Sequence, residues 1–206
     1  MEPLPEQTSF FTKKANFFDR WAPNYDCLLT TVFYQTVHQR LLEVVQLSPQ
    51  ARVLDLGCGT GKLLQRLAGH YPQMQGIGLD LSPQMLRQAR QGNRFHPRLM
   101  FVSGNAELLP FGDRQFDAVF NCISFLHYPH PQTVFQEVAR VLVPQGYFYL
   151  ADFSPVMAQS RVAFSPGGIR FYTPDQREKF AEQAGLRTVA HRYLITSVVG
   201  SLFQKP

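Results

Sequence analysis

From Phe10 to about Leu47 the apolar residues return at helical spacing: Phe17, Phe18 and Trp21, then Leu28, Leu29, Val32, Phe33, Val37, Leu41, Val44 and Val45. Pro23 interrupts the run once, so the pattern predicts two or three helices before any strand. After Ser48-Pro49 it changes to short apolar runs separated by amphipathic stretches, the alternation of a parallel sheet wrapped by helices. The runs predict strands over 52–56, 75–80, 98–103, 116–122 and 147–153, and helices over 61–71, 83–92 and 132–142. Ser82-Pro83 supplies a helix N-cap followed by a first-turn proline. A last helix over 174–184 stops at Gly185, and two β-rich runs follow over 187–195 and 197–203. Their connection is too short for a crossover helix, so these two strands must run antiparallel to each other. The expectation is one α/β domain over 1–206, with a seven-stranded, mostly parallel sheet that ends in an antiparallel hairpin. Residues 1–47 would form a helical lid on a core over 48–206, with one irregular insertion over 154–172.

The composition allows this fold and removes several function classes. A chain of 206 residues with 45% hydrophobic and 13% aromatic content can bury a full core. Net charge is +5 with only 17% charged residues, which gives a weak pull on anions and little more. Arg87, Arg90 and Arg94 share a helical face with Arg98 nearby, a cluster that fits a solvated face better than a nucleic-acid or lipid surface. No nucleic-acid partner is expected. Cys27, Cys58 and Cys122 have neither a disulfide framework nor metal-ligand spacing, so a reducing compartment and no metal are expected. Glu2, Pro3, Pro5 and Glu6 stand where a secretory signal needs basic and then apolar residues, and no run approaches a membrane span. A soluble, cytoplasmic protein is the expectation.

The run Val53-Leu54-Asp55-Leu56-Gly57-Cys58-Gly59-Thr60-Gly61 reads as a buried strand that turns sharply into a helix. A dinucleotide fingerprint would place glycine at position 62, where Lys62 stands. A phosphate-binding P-loop would need glycine in place of Leu56 and serine or threonine in place of Leu63. The next strand ends in Asp80, close to the interval of about 20 residues at which such a fold sets a carboxylate beside the glycine loop for ribose hydroxyls.

These segments, with Gly104-Asn105-Ala106-Glu107-Leu108-Leu109-Pro110-Phe111, Phe116-Asp117-Ala118-Val119 and Arg140-Val141-Leu142-Val143-Pro144-Gln145-Gly146, resemble the class I S-adenosylmethionine-dependent methyltransferases. The small-molecule, type 11 branch is the most similar group. The resemblance implies a Rossmann-like sheet and S-adenosylmethionine as cofactor. It implies that Gly57, Cys58 and Gly59 offer backbone to the methionine part, that Asp55 orients the amino group and that Asp80 binds ribose. Leu81 would lie against the adenine face, Asn105 and Ala106 at its edge, and Asn121 at the end of the fourth strand beside the cofactor. The family commonly has aspartate where Asn105 stands; an asparagine carbonyl also accepts a hydrogen bond, without charge.

Methyl transfer from a sulfonium is an in-line displacement in which the protein mainly aligns the acceptor. His127 is the candidate base, being the titratable side chain of suitable pKa after the fourth strand; a histidine that merely packs or caps the next helix fits equally well. Cys122 reads as a buried strand-end thiol. The segment from Phe18 to Asp26 resembles the entry segment of many type 11 enzymes, which implies that Tyr25 approaches the cofactor. Candidate acceptor contacts are Phe18, Trp21, Phe125, Phe164, Phe171 and Tyr172. The expected activity is methyl transfer to a small aromatic or apolar acceptor; a noncatalytic S-adenosylmethionine-binding subunit or partner-activating module is the alternative, because no obligatory catalytic residue can be named.

Overall fold

A computed structural model describes residues 5–25, 28–154 and 168–206. Two helices, α1 (Pro5–Tyr25) and α2 (Leu28–Leu42), lead into β1 (Arg52–Leu56), α3 (Lys62–His70), β2 (Gln75–Asp80), α4 (Pro83–Gln91), β3 (Leu99–Ser103) and β4 (Phe116–Cys122). A 3-10 turn (Phe125–His127) precedes α5 (Pro131–Val141), β5 (Leu142–Phe153), α6 (Pro174–Gln183), β6 (Arg187–Ile195) and β7 (Val198–Gln204). The seven strands form one sheet in the order β3-β2-β1-β4-β5-β7-β6. β7 runs antiparallel to both β5 and β6, and the pairs among β1 to β5 are parallel. The expected sheet and its closing hairpin are therefore present.

Alternation along the central strands sends successive side chains to opposite faces. Val53, Ala118, Phe120 and Tyr149 pack with α2, α3 and α4 through Val37, Leu41, Leu64, Leu67, Leu86 and Ala89. Leu54, Leu56, Val119, Phe148 and Leu150 pack with α5 and α6 through Val134, Phe135, Val138 and Ala181. Strand order reverses between β1 and β4, and in open α/β sheets ligands bind beyond the carboxyl ends of strands at such a point.

Three local features differ from the sequence expectation. α1 continues two residues beyond Pro23 before the break. α2 is a layer of the core rather than a lid, with Val37 and Leu41 buried against the sheet. β5 starts at Leu142, five residues early, because Phe116 pairs with Leu142 and a register shift then brings Ala118 opposite Tyr147. The predicted Ser82 cap is present: its hydroxyl accepts from Met85 N–H at 3.1 Å, with Pro83 in the first turn. The arginine cluster is spent partly on structure. Arg90 donates twice to Phe101 O, and Arg98 donates to Tyr71 O, Met74 O and Ala68 O. Among the described residues no helix is long and apolar enough to cross a membrane.

Candidate active site

The loop after β1 is held by short backbone bonds. Gly57 N–H and Cys58 N–H both donate to Leu79 O, at 2.8 and 3.1 Å, which folds the loop over the end of β2. Gly57 has φ +66°, and a Cβ built on it falls 2.4 Å from Ser124 Oγ and 2.6 Å from Ser124 Cβ. Only glycine lets the loops after β1 and β4 approach so closely. On the β4 side Ser124 Oγ donates to Leu56 O at 3.0 Å, and Asn121 Nδ2 donates to Leu56 O at 3.0 Å and to Tyr128 Oη at 2.9 Å. Asn121 Oδ1 is a buried acceptor with no partner among the described residues.

Asp80 closes the floor. One carboxylate oxygen accepts from Gly59 N–H and the other from Ser82 N–H, each at 2.8 Å. Burial raises its pKa against the pull of these N–H groups. Asp55, 2% exposed on β1, is pushed well above the usual carboxylate range by burial and then by the charge of Asp80. Two buried carboxylates this close make a floor that favours a positively charged ligand.

Two crevices flank the loop and share Gly57 and Gly59. The first, of about 690 Å³ with its open mouth included, runs over Asp80, Leu81, Gly104 and Ala106 to His127, and is roofed by Phe10, Phe11, Lys14 and Phe18. The roof residues Phe10, Lys14 and Phe18 are spaced four apart and so share one face of α1. The second, of about 930 Å³, holds Asp55, Cys58 and Cys122 opposite His38 and Arg66. α1 is stapled to the sheet side by Asp19, whose Oδ1 accepts from Ser82 Oγ at 2.5 Å and Gln84 N–H at 3.1 Å. Lys14 Nζ lies 3.5 Å from His127 Nδ1, and the Phe18 ring meets the imidazole edge-on at 5.0 Å. Burial and then the Lys14 charge lower His127 to about 3. In the second crevice Arg66 approaches His38 Nδ1 at 2.8 Å, and burial followed by the Arg66 charge likewise lowers His38 to about 3.

Residues 53–146 match the model of a methyltransferase domain family. The chain is 34% identical over 196 residues to malonyl-[acyl-carrier protein] O-methyltransferase of Geobacter sulfurreducens, covering 86% of this chain and 71% of that protein. It is 30% identical over 213 residues to the ubiquinone/menaquinone biosynthesis C-methyltransferase of Syntrophotalea carbinolica, covering 88% and 89%. The chain belongs to the class I S-adenosylmethionine-dependent methyltransferases. A Marinomonas malonyl-[acyl-carrier protein] O-methyltransferase is 35% identical over 146 residues, and the chain spans 53% of its length. The fold is that of a Haloferax volcanii methyltransferase solved in complex with the Trm112 activator, with TM-score 0.83 at 21% identity over 94% of this chain and 97% of that one.

The cofactor of this family is S-adenosylmethionine, and the residues present fit it. Asp80 uses one acceptor site on each oxygen for backbone, which leaves further lone pairs for hydroxyl donors. The buried carboxylate floor suits a ligand with ammonium and sulfonium charges, and Asn121 Oδ1 is a spare buried acceptor. Most residues predicted for a methyltransferase site come together: Gly57, Gly59, Asp80, Leu81, Ala106, Phe18 and His127 line the first crevice, and Asp55 and Cys58 the second. Asn105 Oδ1 accepts from Glu107 N–H at 2.9 Å and closes a turn between Gly104 and Ala106, both of which line the first crevice. Phe125 and Tyr172 are not acceptor contacts in this arrangement. Phe125 is 1% exposed and packs edge-on against Phe135 and Tyr172 in the α5/α6 layer. Phe171 sits against Phe153, 6.4 Å away, and not in either crevice. Phe164 and the side chains of Trp21 and Tyr25 lie outside the described residues.

Sequence reasoning missed Phe10, Phe11, Lys14, Ser124 and Tyr128 in the first crevice, and His38 and Arg66 in the second. For Lys14 a signal existed, since it stands midway between Phe10 and Phe18 on the same helical stripe. Among the described residues no group of three His, Cys, Asp or Glu side chains can hold a metal ion.

Proposed function

We propose that this methyltransferase-family chain transfers a methyl group to a small acceptor with an apolar or aromatic body. The observation that supports this reading most is the continuity of the first crevice: its Asp80 end suits a nucleoside, and its other end is a wall of Phe10, Phe11 and Phe18. When bound, S-adenosylmethionine supplies the electrophilic methyl group. Asp80 would hold the ribose hydroxyls, Leu81 and Ala106 would flank adenine, and Asp55 with Arg66 would take the ammonium and carboxylate of the methionine end in the second crevice. The aromatic wall excludes water and fixes the acceptor, and such alignment can account for roughly 7 to 11 kcal/mol of barrier lowering. Relatives of similar sequence include an O-methyltransferase of a malonyl carrier protein and a C-methyltransferase of quinone biosynthesis, both consistent with acceptors other than nucleic acid.

The test has two parts. Calorimetry should show S-adenosylhomocysteine binding and no comparable binding of nicotinamide dinucleotides; preference for the latter would sink the reading. Methyl release from labelled cofactor against a panel of acids, phenols and amines should then reveal an acceptor. Asp80→Ala is expected to weaken S-adenosylhomocysteine binding by roughly 10- to 100-fold, the worth of hydrogen bonds to a charged acceptor. An affinity within twofold of the parent would remove the ribose assignment.

A second reading is a cofactor-binding module that works only with a partner. It draws support from the Haloferax volcanii chain, which was solved with an activator. Tight S-adenosylhomocysteine binding with no methyl release from the chain alone, restored by a copurifying partner, would favour it.

A further inference from the structure

Ile123 is the residue at which the chain leaves β4, and its backbone stands at φ +54°. A β-branched side chain is costly in that left-handed region, where glycine or asparagine is the easy choice. The bend itself is needed. It turns Ser124 back over the β1 loop, so that Ser124 Oγ donates to Leu56 O at 3.0 Å and its Cβ closes on Gly57. Bonds on both sides hold the bend in place. Ile123 N–H still donates to Ala151 O at 2.8 Å, and beyond it Leu126 N–H donates to Asp152 Oδ2 at 2.9 Å and His127 N–H to Ser124 O at 3.1 Å. Backbone strain persists where neighbouring structure over-determines it in this way, and it clusters at ligand sites. Glycine would make the same bend without the cost, so what isoleucine adds is its side chain.

That side chain is 8% exposed. It joins the core cluster that packs with α2 and α3, and it lines the first crevice, which Phe10, Phe11 and Phe18 roof. The crevice of about 690 Å³, open mouth included, must hold the nucleoside over Asp80 as well as the acceptor. Pockets for whole ligands run from about 300 to 1,000 Å³, so the share left to the acceptor is small. We propose that Ile123 sets the size of the acceptor: its branched side chain, fixed by the left-handed backbone, limits the acceptor end to a body as slim as one aromatic ring. The inference rests on the methyltransferase reading above and deepens it by naming the size class of the substrate. Shortening Ile123 would open the slot to a second, fused ring.

The test uses the intact chain saturated with S-adenosylhomocysteine and two probes with the same hydroxyl, 4-fluorophenol and 6-fluoro-2-naphthol, titrated by fluorine NMR. In an unrestricted apolar slot the extra ring would favour the naphthol by roughly tenfold or more. The parent should instead bind the phenol as tightly as the naphthol or more tightly. Ile123→Ala and Ile123→Gly should each raise the naphthol-to-phenol affinity ratio by about 10- to 100-fold. Ile123→Val removes one methyl group and should raise it by about fourfold. A buried side chain with only a structural role would change stability and leave this ratio alone. The backbone has its own readout: Ile123→Gly should unfold at higher urea than Ile123→Ala, the reverse of the usual order, because glycine alone accepts the left-handed bend without strain. A parent that already prefers the naphthol tenfold, a parent that binds neither probe, or a ratio within twofold of the parent's in Ile123→Ala overturns the proposal. An alanine variant as stable as the glycine variant overturns it too. If neither of these two variants folds, the ratio in Ile123→Val decides, and one equal to the parent's is fatal. A parent that binds no S-adenosylhomocysteine fails the methyltransferase reading instead, a separable outcome.

Discussion

Gly57→Ala should unfold at markedly lower denaturant than the parent and lose cofactor affinity by more than about 100-fold. The backbone cost alone, a side chain at φ +66°, is about 1–2 kcal/mol. The new Cβ also falls within 2.6 Å of both Ser124 Oγ and Ser124 Cβ, so turning the hydroxyl away does not relieve it. Ser124 must shift, and its bond to Leu56 O and its contact with Asn121 Nδ2 shift with it. A total loss of about 3 kcal/mol or more follows. Urea unfolding gives the stability and calorimetry with S-adenosylhomocysteine the affinity. The double variant Gly57→Ala with Ser124→Gly removes the clash but keeps the backbone cost, and should recover about 1–2 kcal/mol. Full additivity of the two changes would show that the loops do not touch as described. Gly69→Ala is the control: its added Cβ meets nothing within 4 Å inside α3, and should stabilise by about 0.5–1 kcal/mol.

That contrast between two glycines shows what the chain order discloses and what it hides. β1, β2, β4 and β6 stand at the residues the apolar runs predicted, because each run is buried on both faces or bounded by turn residues. Gly57, Asp55 and Asp80 were legible because strand, turn and carboxylate follow one another at a fixed interval. Periodicity marks a residue as apolar but does not say which of two layers it enters. Phe125 and Tyr172 therefore read as acceptor contacts, while the fold gives them to the α5/α6 layer. Asn105 read as a ligand contact, and its Oδ1 also accepts within its own turn, a local bond that short polar side chains often make and that no ligand-centred reading foresees. Lys14 and His127 meet across 113 positions, and Tyr149 reaches Gln46 across 103; no local pattern encodes such distances.

Arg177 is the second position where a single change should have a large effect, and nothing in the sequence pattern marked it. It lies on α6, is 1% exposed, and reaches into the sheet edge. Its guanidinium donates to Tyr172 O, Val199 O, Ser201 Oγ, Asp152 O and Phe153 O. α6 is thus bound to β5 and β7 by one side chain. Asp152, buried beside it, is raised to about 6 by burial, with the Arg177 charge acting against that rise. Its Oδ2 accepts from Leu126 N–H at 2.9 Å, so the same assembly fixes the turn that carries His127. Arg177→Met keeps volume but strands four carbonyls and removes the compensating charge, which should cost about 3–5 kcal/mol. Lys cannot supply the fork of donors, so Arg177→Lys should lose nearly as much. The deficit should depend on pH with a definite sign. Asp152 has a folded pKa above its unfolded value, so its contribution is fully present below about pH 4 and is lost as pH rises through about 6. Without Arg177 that folded value rises further, and the variant suffers most where the carboxylate must be charged. Its shortfall against the parent, measured by urea unfolding, should therefore be larger at pH 8 than at pH 5; His38 and His127 titrate in both proteins and cancel in the difference, while His191, lowered by burial and then by the Arg177 charge, is relieved in the variant at pH 5 and adds to the same trend. A shortfall that is equal at the two pH values would mean that the guanidinium serves the carbonyls alone, and that neither Asp152 nor His191 feels its charge.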